Sequence, residues 1–144
     1  MTVQNNNPNL QVLYEDNHLL GVFKPHRLLI QSDHSGSPTL FLQVCHWLKE
    51  KYSKSGNVYL GLLHRLDRPA AGVVLFGKTS KGASRLSEQI RERKVEKRYH
   101  LIVEGVPPQK QGACEHYLFP GENQRIQVEE TDSGRGKIAK LTYR

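Results

Sequence analysis

The stretch HRLDRPAAG, residues 64–72, carries the strongest signal in this chain for both fold and chemistry. It places one carboxylate, Asp67, between Arg65 and Arg68, and follows it with a proline, two alanines and a glycine. An exposed ion pair contributes little to stability, so a purely structural role would not call for two arginines around one acid. The pattern raises the hypothesis that Asp67 is a reactive group with room beside it for a ligand.

Charge is concentrated around this stretch. The chain has 144 residues, 37% of them hydrophobic, which is enough for one domain with a thin core. Its net charge is +7, and residues 64–100 hold ten Lys or Arg against four Asp or Glu, a net +6. Such a segment is typical of a protein that binds a phosphate backbone, although a solvated basic surface explains the charge alone equally well.

Targeting signals and metal motifs are not found in the sequence. No apolar run is long enough for a membrane span, and the first ten residues lack the basic and apolar regions of a signal peptide. Cys45 and Cys114 have no metal-ligand spacing and cannot form a disulfide framework. We therefore expect a cytoplasmic protein with no membrane partner and no metal.

The first half of the chain predicts a hairpin followed by a helix. Residues 1–9 are predicted to be a loose tail, and residues 10–14 and 18–23 to be strands joined by a turn. Ser37 is predicted to cap a helix with Pro38 in its first turn. Apolar residues then recur at helical spacing, at Leu40, Phe41, Val44, Trp47 and Leu48.

The second half predicts one more helix and several strands. Residues 73–76 form an apolar run of strand length, and residues 77–80 form a turn ending in helix caps. Residues 98–104 alternate with period two, which predicts a strand with Tyr99 on one face. Weaker strand candidates are residues 113–119, 125–128 and 138–144.

The fold class predicted from these elements is α+β, with a mostly antiparallel mixed sheet and flanking helices. The last candidate strand is followed by no turn or polar cap, so the sheet is expected to be truncated at the C-terminus. An open strand edge of this kind can pair with another chain. The sequence therefore predicts a site of self-association at this edge, without fixing the oligomeric state.

Two interpretations of Asp67 follow from its spacing. Nearby cations favour its charged form, and an arginine can orient it through paired hydrogen bonds. It would then suit attack on a sugar carbon, as carboxylates do in glycosyl-transfer enzymes. The alternative is a turn aspartate whose side chain bonds to its own backbone.

Other candidate groups are weaker. Tyr99 follows the basic run RERKVEKR and could stack on a base or exchange a proton, but a strand aromatic in the core is the commoner case. His64 and His100 have no metal-spaced partner and no adjacent Ser or Cys, which argues against a zinc site or a hydrolase triad. The segment GKTSKG lacks the first glycine of the phosphate-loop pattern.

The sequence resembles the RluA-type pseudouridine synthases. The resemblance rests on HRLDRPAAGVVLFGKT, the basic helix after it and KRYHLIVEG, with KPHRLL (residues 24–29) similar to that family's N-terminal strand motif. It implies a pseudouridine synthase-like catalytic domain over residues 10–144, incomplete at its C-terminus. By resemblance, Asp67 matches the catalytic aspartate, Arg65 an arginine that pairs with it and helps to hold the flipped-out nucleotide, and Tyr99 the tyrosine that packs on the base.

The sequence departs from the family pattern in three places. Arg27 stands where the family usually has glycine, and Ala70 and Ala71 replace the more usual Thr-Ser. The later Thr-Gly-Arg…His-Gln-Ile-Arg motif, which supplies another basic residue to the site, is absent from these 144 residues.

The predicted function is isomerisation of uridine to pseudouridine in ribosomal or transfer RNA, without a cofactor. Asp67, Arg65 and Tyr99 are the expected catalytic residues. The alternatives are a catalytically inactive RNA-binding fragment and a glycosidase-like hydrolase with a second acid. RNA phosphates are expected to contact nine basic residues: Arg68, Lys78, Lys81, Arg85, Arg91, Arg93, Lys94, Lys97 and Arg98.

Overall fold

The computed structural model of the protein describes residues 10–32, 37–121 and 125–144. The predicted loose tail, residues 1–9, lies outside the described residues. The chain divides into two compact units, Met1–Lys97 and Arg98–Arg144. The single catalytic domain expected over residues 10–144 stays a prediction.

The first unit contains a four-stranded antiparallel sheet in the order β1-β2-β4-β3. Its strands are β1 (Gln11–Glu15), β2 (Leu19–Lys24), β3 (Gly61–Leu62) and β4 (Gly72–Gly77). The predicted hairpin is present as β1 and β2. Strand β4 is central because it pairs with β2 along six residues and with β3 on its other side.

Helix α1 (Leu40–Lys51) covers one face of this sheet. Its N-cap is Thr39, whose hydroxyl accepts a hydrogen bond from the Leu42 amide at 3.3 Å. The prediction of Ser37 as the cap was wrong, because Thr39 is the extended residue directly before the helix and its side chain reaches the first turn. The core joins α1 to β2 and β4 through Leu40, Val44, Trp47, Leu48, Leu20, Val22, Val74 and Phe76.

Helix α2 (Ser80–Arg91) follows β4 after a short turn. Thr79 caps it by accepting a hydrogen bond from the Gly82 amide at 3.1 Å. A Cβ on Gly77 would lie 2.6 Å from the Cβ of Ala83, so only glycine lets the first turn of the helix approach the end of β4 this closely. The helix cap predicted within residues 77–80 is present as Thr79.

The second unit is a three-stranded antiparallel sheet in the order β6-β5-β7. Its strands are β5 (Gly112–Pro120), β6 (Ile126–Glu129) and β7 (Lys137–Tyr143), close to the three weaker strand predictions. With α1 and α2, the two sheets confirm the α+β class. All strand pairs among the described residues are antiparallel; the isolated bridge between Leu29 and Thr39 is parallel.

The strand predicted over residues 98–104 was wrong. The segment has no regular secondary structure, and Leu101 and Ile102 are 76% and 104% exposed. A strand needs a neighbour for its backbone hydrogen bonds, and within the described part of the chain this segment pairs with none. Alternation of side chains alone does not supply that neighbour.

Helices α1 and α2 have twelve residues each. Across the described ranges, no helix combines the length and the apolar character needed to traverse a bilayer.

Glu15 links the end of β1 to α1 and to the turn before α2. Its carboxylate accepts hydrogen bonds from Lys51, from Tyr52 Oη at 2.6 Å and from Lys78 Nζ at 2.6 Å. Burial raises the pKa of this carboxyl, but the hydrogen bonds from Lys51, Lys78 and Tyr52 outweigh burial and lower the pKa to about 2. The ionised form of Glu15 is therefore part of the folded framework.

We expect the Glu15 cluster to make the protein sensitive to acid. The folded-state pKa lies below the ordinary value of 4.5, so the stabilising contribution is complete above pH 4.5 and is lost as pH falls towards about 2. Glu15→Gln should flatten the decline of the urea midpoint over this range. The matched control is Glu88→Gln, an exposed position on α2, which should leave the decline intact. A Glu15→Gln protein that declines as steeply as the wild type would contradict the assignment.

Candidate active site

Asp67 lies in a tight turn that leads into β4. The turn is closed by the backbone, since the Ala70 amide donates to the Asp67 carbonyl at 3.0 Å. The side chain of Asp67 is exposed, and within residues 10–32, 37–121 and 125–144 its carboxylate has no hydrogen bond or ion pair. The carboxylate is therefore exposed to solvent, and the turn forms without a hydrogen bond to this side chain.

The other described aspartates behave differently. The carboxylate of Asp16 accepts from the His18 and Leu19 amides at 2.7 and 2.6 Å, and that of Asp132 accepts from the Gly134 amide at 2.8 Å. Both side chains hold their own turns, as aspartate commonly does. The turn at Asp67 is made without its side chain, so the backbone-bonded interpretation of Asp67 does not describe this structure.

The expected pairing of Asp67 with its neighbouring arginines is not present in the structure. Arg65 and Arg68 are both exposed, and the ion pairs of the described residues join neither of them to the carboxylate. Arg68 is oriented elsewhere, because its Nε donates to the Arg27 carbonyl at 3.3 Å. Neighbouring positions in the sequence keep Arg65, Asp67 and Arg68 close together, but they do not determine the directions in which the side chains point.

The cation that supports the turn is Lys24, at the end of β2. Its side chain is fully buried, and Nζ donates to the carbonyls of Leu28 at 2.8 Å, Pro25 at 3.2 Å and Arg68 at 3.3 Å. Burial lowers the pKa of this ammonium, and the negative charge of Asp67 opposes that shift. Lys24 therefore ties the turn to the sheet and supplies a positive charge from within the protein.

Lys24 belongs to the segment KPHRLL, but no role in the site was predicted for it from the sequence. A signal was available in the alternation of β2, since Leu20, Val22 and Lys24 share the buried face of the strand. A lysine at a buried position needs partners for its three donors, which points to nearby carbonyl groups.

The segment after Lys24 is also bonded to the turn. The Arg27 amide donates to the Arg68 carbonyl at 2.9 Å, and His26 Nδ1 donates to the Pro69 carbonyl at 2.7 Å. With the Arg68 Nε bond, these contacts hold residues 26 and 27 against the residues that follow Asp67. The backbone around the carboxylate is thus fixed by two segments far apart in sequence.

Backbone conformation explains the glycine that ends the quoted stretch. Gly72 has φ +149°, in a region that L side chains rarely adopt, and it is also the residue that pairs with Lys24 in the sheet. A side chain at this position would strain the entry into β4. The position of Asp67 relative to the sheet depends on this glycine.

His64 has a structural role beside β4. Its Nε2 accepts a hydrogen bond from the Leu75 amide at 3.0 Å, which requires that nitrogen to be unprotonated. Burial lowers the pKa of His64, and the charge of Lys97 lowers it further. The neutral ring therefore completes the bonding of β4 beyond the short strand β3.

The basic residues expected to contact RNA fall into two groups. Six of them are exposed in the first unit, on α2 or in the segment that follows it: Lys81, Arg85, Arg91, Arg93, Lys94 and Lys97. Lys94 forms an ion pair with Glu92 at 2.6 Å. Lys78 is different, because its side chain is only 12% exposed and donates to Glu15, Asp16 and Tyr52. Its contacts favour a structural role.

Tyr99 and Arg98 belong to the second unit, which begins at Arg98. Both are exposed, Tyr99 to 61%. Tyr99 lies in the segment that lacks the predicted strand. Its role in the site stays a prediction.

The described residues contain no cluster of three or more His, Cys, Asp or Glu side chains arranged to bind a metal.

We expect replacement of Lys24 to loosen the turn. Lys24→Met keeps the length of the side chain but removes the donor to three carbonyls, so the free energy of unfolding should fall by about 1–3 kcal/mol. Amide exchange at Arg27 should accelerate more than at core positions of β4, because its acceptor is the carbonyl that Lys24 also holds. Denaturant titration and hydrogen exchange measure the two effects. Lys81→Met, at an exposed position, is the control. Unchanged stability and exchange in Lys24→Met would show that Lys24 does not hold the turn.

Comparisons with known proteins identify the family of this chain. A family model described as RNA pseudouridylate synthase matches residues 18–143. The chain is 37% identical over 100 residues to the ribosomal large subunit pseudouridine synthase C of Buchnera aphidicola, covering 69% of this chain and 30% of that protein. It is 32% identical over 146 residues to an uncharacterized RNA pseudouridine synthase of Aquifex aeolicus, covering 99% of this chain and 45% of the relative.

A third relative is the tRNA pseudouridine synthase C of Haemophilus ducreyi, 37% identical over 102 residues, covering 70% of this chain and 40% of the relative. The chain thus spans less than half the length of these relatives. Its fold is similar to that of human RNA pseudouridylate synthase domain containing 4, with a TM-score of 0.64 at 17% identity over 90% of this chain and 51% of that one. The chain that carries Asp67 on the Lys24-supported turn belongs to the RNA pseudouridylate synthase family.

Proposed function

We propose that this protein isomerises uridine to pseudouridine in ribosomal or transfer RNA, with Asp67 as the catalytic carboxylate. The observation that carries the proposal is the exposed Asp67 carboxylate, which has no partner among the described residues and is held on a turn closed by backbone bonds. The names of the relatives, which act on ribosomal large subunit RNA or on tRNA, support the substrate class.

The chemistry needs one group that can act on the sugar or on the glycosidic bond. The bond between uracil N1 and the ribose C1′ breaks, the base turns, and a bond forms between C5 and C1′. C5 then loses its proton and N1 gains one, so the product has the same composition as the substrate. Asp67 attacks C1′ or otherwise promotes departure of the uracil.

The surroundings of Asp67 suit this task. Lys24 places a buried positive charge beneath the turn, and the backbone bonds fix the turn before any ligand arrives. Preorganised groups of this kind need little rearrangement during a reaction. We assign Arg65 to the target nucleotide and Tyr99 to stacking on the extruded base, because extrusion of a base from its stack requires such contacts.

The exposed basic residues of α2 and of the segment after it are proposed to bind RNA phosphates. Lys81, Arg85 and Arg91 lie on α2, while Arg93, Lys94 and Lys97 follow it. Arg68, which flanks Asp67, and Arg98 complete the proposed phosphate-binding set. Lys78 is left out of the phosphate-binding set because its ammonium is engaged by Glu15.

We expect Asp67→Asn to abolish pseudouridine formation while RNA affinity stays largely unchanged. The amide keeps the shape of the side chain but lacks the charge, so turnover should fall by about three orders of magnitude or more. Release of tritium from RNA labelled at uridine C5 measures the reaction, because C5 loses its hydrogen. Asp132→Asn, in the second unit, is the matched control and should turn over normally. Comparable activity of Asp67→Asn and wild type would refute the role of Asp67.

The alternative, an RNA-binding chain without activity, is favoured by one observation. Residues 98–104 contain Tyr99 but form no strand, so this segment has no regular structure to position the ring. The two functions are distinguished by measuring binding and pseudouridine formation by this chain on the same cellular RNA. We expect the chain to bind the RNA and to form pseudouridine. Binding without any turnover would support the inactive alternative instead.

A further inference from the structure

Arg27 is held in a strained conformation beside the Asp67 turn. Its φ is 68°, in the left-handed region that glycine adopts freely and that arginine rarely occupies. Strain of this kind persists only where the surroundings impose it, and it is concentrated at functional sites.

The backbone contacts explain the conformation but not the choice of arginine. The amide of Arg27 donates to the Arg68 carbonyl at 2.9 Å, and its carbonyl accepts from Arg68 Nε at 3.3 Å. Both contacts use main-chain atoms of residue 27, so a glycine would make them without strain. The fold therefore gains nothing from the arginine side chain through these bonds.

The side chain of Arg27 has no polar partner among residues 10–32, 37–121 and 125–144. Arg27 is exposed, and its guanidinium forms no hydrogen bond, ion pair or ring contact with the described residues. A guanidinium offers five donors in a planar arrangement suited to phosphate and carboxylate oxygens. A contact with a ligand would explain why a strained residue carries a guanidinium that has no polar or ring partner in the described part of the chain.

The charges around Arg27 indicate that this ligand is an anion. Arg65 and Arg68 flank Asp67 and are exposed, and Lys24 lies buried beneath the same turn. Asp67 is the single acid in the segments 24–30 and 62–72 that build this end of the sheet. A negatively charged group near the turn would be attracted to Arg27 and Arg68, which main-chain bonds hold together, and to Arg65, which flanks Asp67 in sequence.

We propose that Arg27 binds a backbone phosphate next to the target nucleotide and so positions the RNA over Asp67. The inference rests on the proposed function for its substrate class. It gives Arg27 a role in binding and positioning and none in the chemical step.

The test compares the full chain carrying Arg27→Gly with the full wild-type chain. Removing the guanidinium should weaken binding of a stem-loop RNA about tenfold, in line with loss of one charge-assisted contact. The slope of log affinity against log salt should fall by about 1. KM should rise with kcat almost unchanged. The melting temperature should stay the same or rise, because glycine relieves the strain.

Three further variants separate charge from strain. Arg27→Lys keeps the positive charge and should retain most of the affinity. Ser53→Gly relieves strain at the second left-handed residue, φ 48°, without changing charge, and should leave binding unaltered. Lys49→Gln removes a charge from the last turn of α1. Lys51 in the same turn bonds to Glu15, at the end of the sheet opposite Asp67, so this change should reduce affinity little.

The outcomes distinguish this inference from the proposed function. If Arg27→Gly binds RNA with wild-type affinity and salt slope, Arg27 does not contact phosphate, while pseudouridine formation by the wild type still supports the function. If Arg27→Gly lowers the melting temperature and changes no binding parameter, the side chain is structural and the inference is wrong. A wild-type protein that neither binds RNA nor forms pseudouridine would overturn both.

Discussion

The ammonium of Lys24 lies beneath the Asp67 turn, where it donates to the carbonyls of Pro25, Leu28 and Arg68. A buried charge is costly unless hydrogen bonds surround it, so its partners must hold their positions for the fold to be stable. One of these partners belongs to the turn that carries Asp67. The arrangement makes stability of the sheet and presentation of the carboxylate depend on the same contact.

The positive charges of the first unit perform different tasks although the sequence presents them alike. Lys78 and Lys51 bond to Glu15 and connect β1 with α1 and the start of α2. Lys24 supports the turn, whereas the arginines and lysines of α2 and the following segment face solvent. A cation that is already paired inside the protein is a poor contact for a phosphate. The net charge therefore overestimates the number of cations available to bind RNA on the proposed surface.

The second unit shows how far side-chain alternation predicts a strand. Residues 112–120 and 137–143 form β5 and β7, which pair along seven residues. Residues 98–104 alternate as regularly but have no partner strand among the described residues, and Ile102 is fully exposed. A strand is completed by hydrogen bonds to another segment, so its formation depends on residues distant in sequence.

The sequence alone determined the elements whose causes are local. Helical spacing predicted α1, capping residues after residue 77 predicted α2, and short apolar segments predicted β2 and β4. HRLDRPAAG and the segments around it indicated the family. Tertiary structure decided which side chains have partners. Lys24 and Arg68 are 44 residues apart, and Glu15 and Lys78 are 63 apart, so no local pattern shows that these groups meet. The position of the Asp67 turn and the left-handed backbone of Arg27 likewise depend on contacts between distant segments, which only the folded chain brings together.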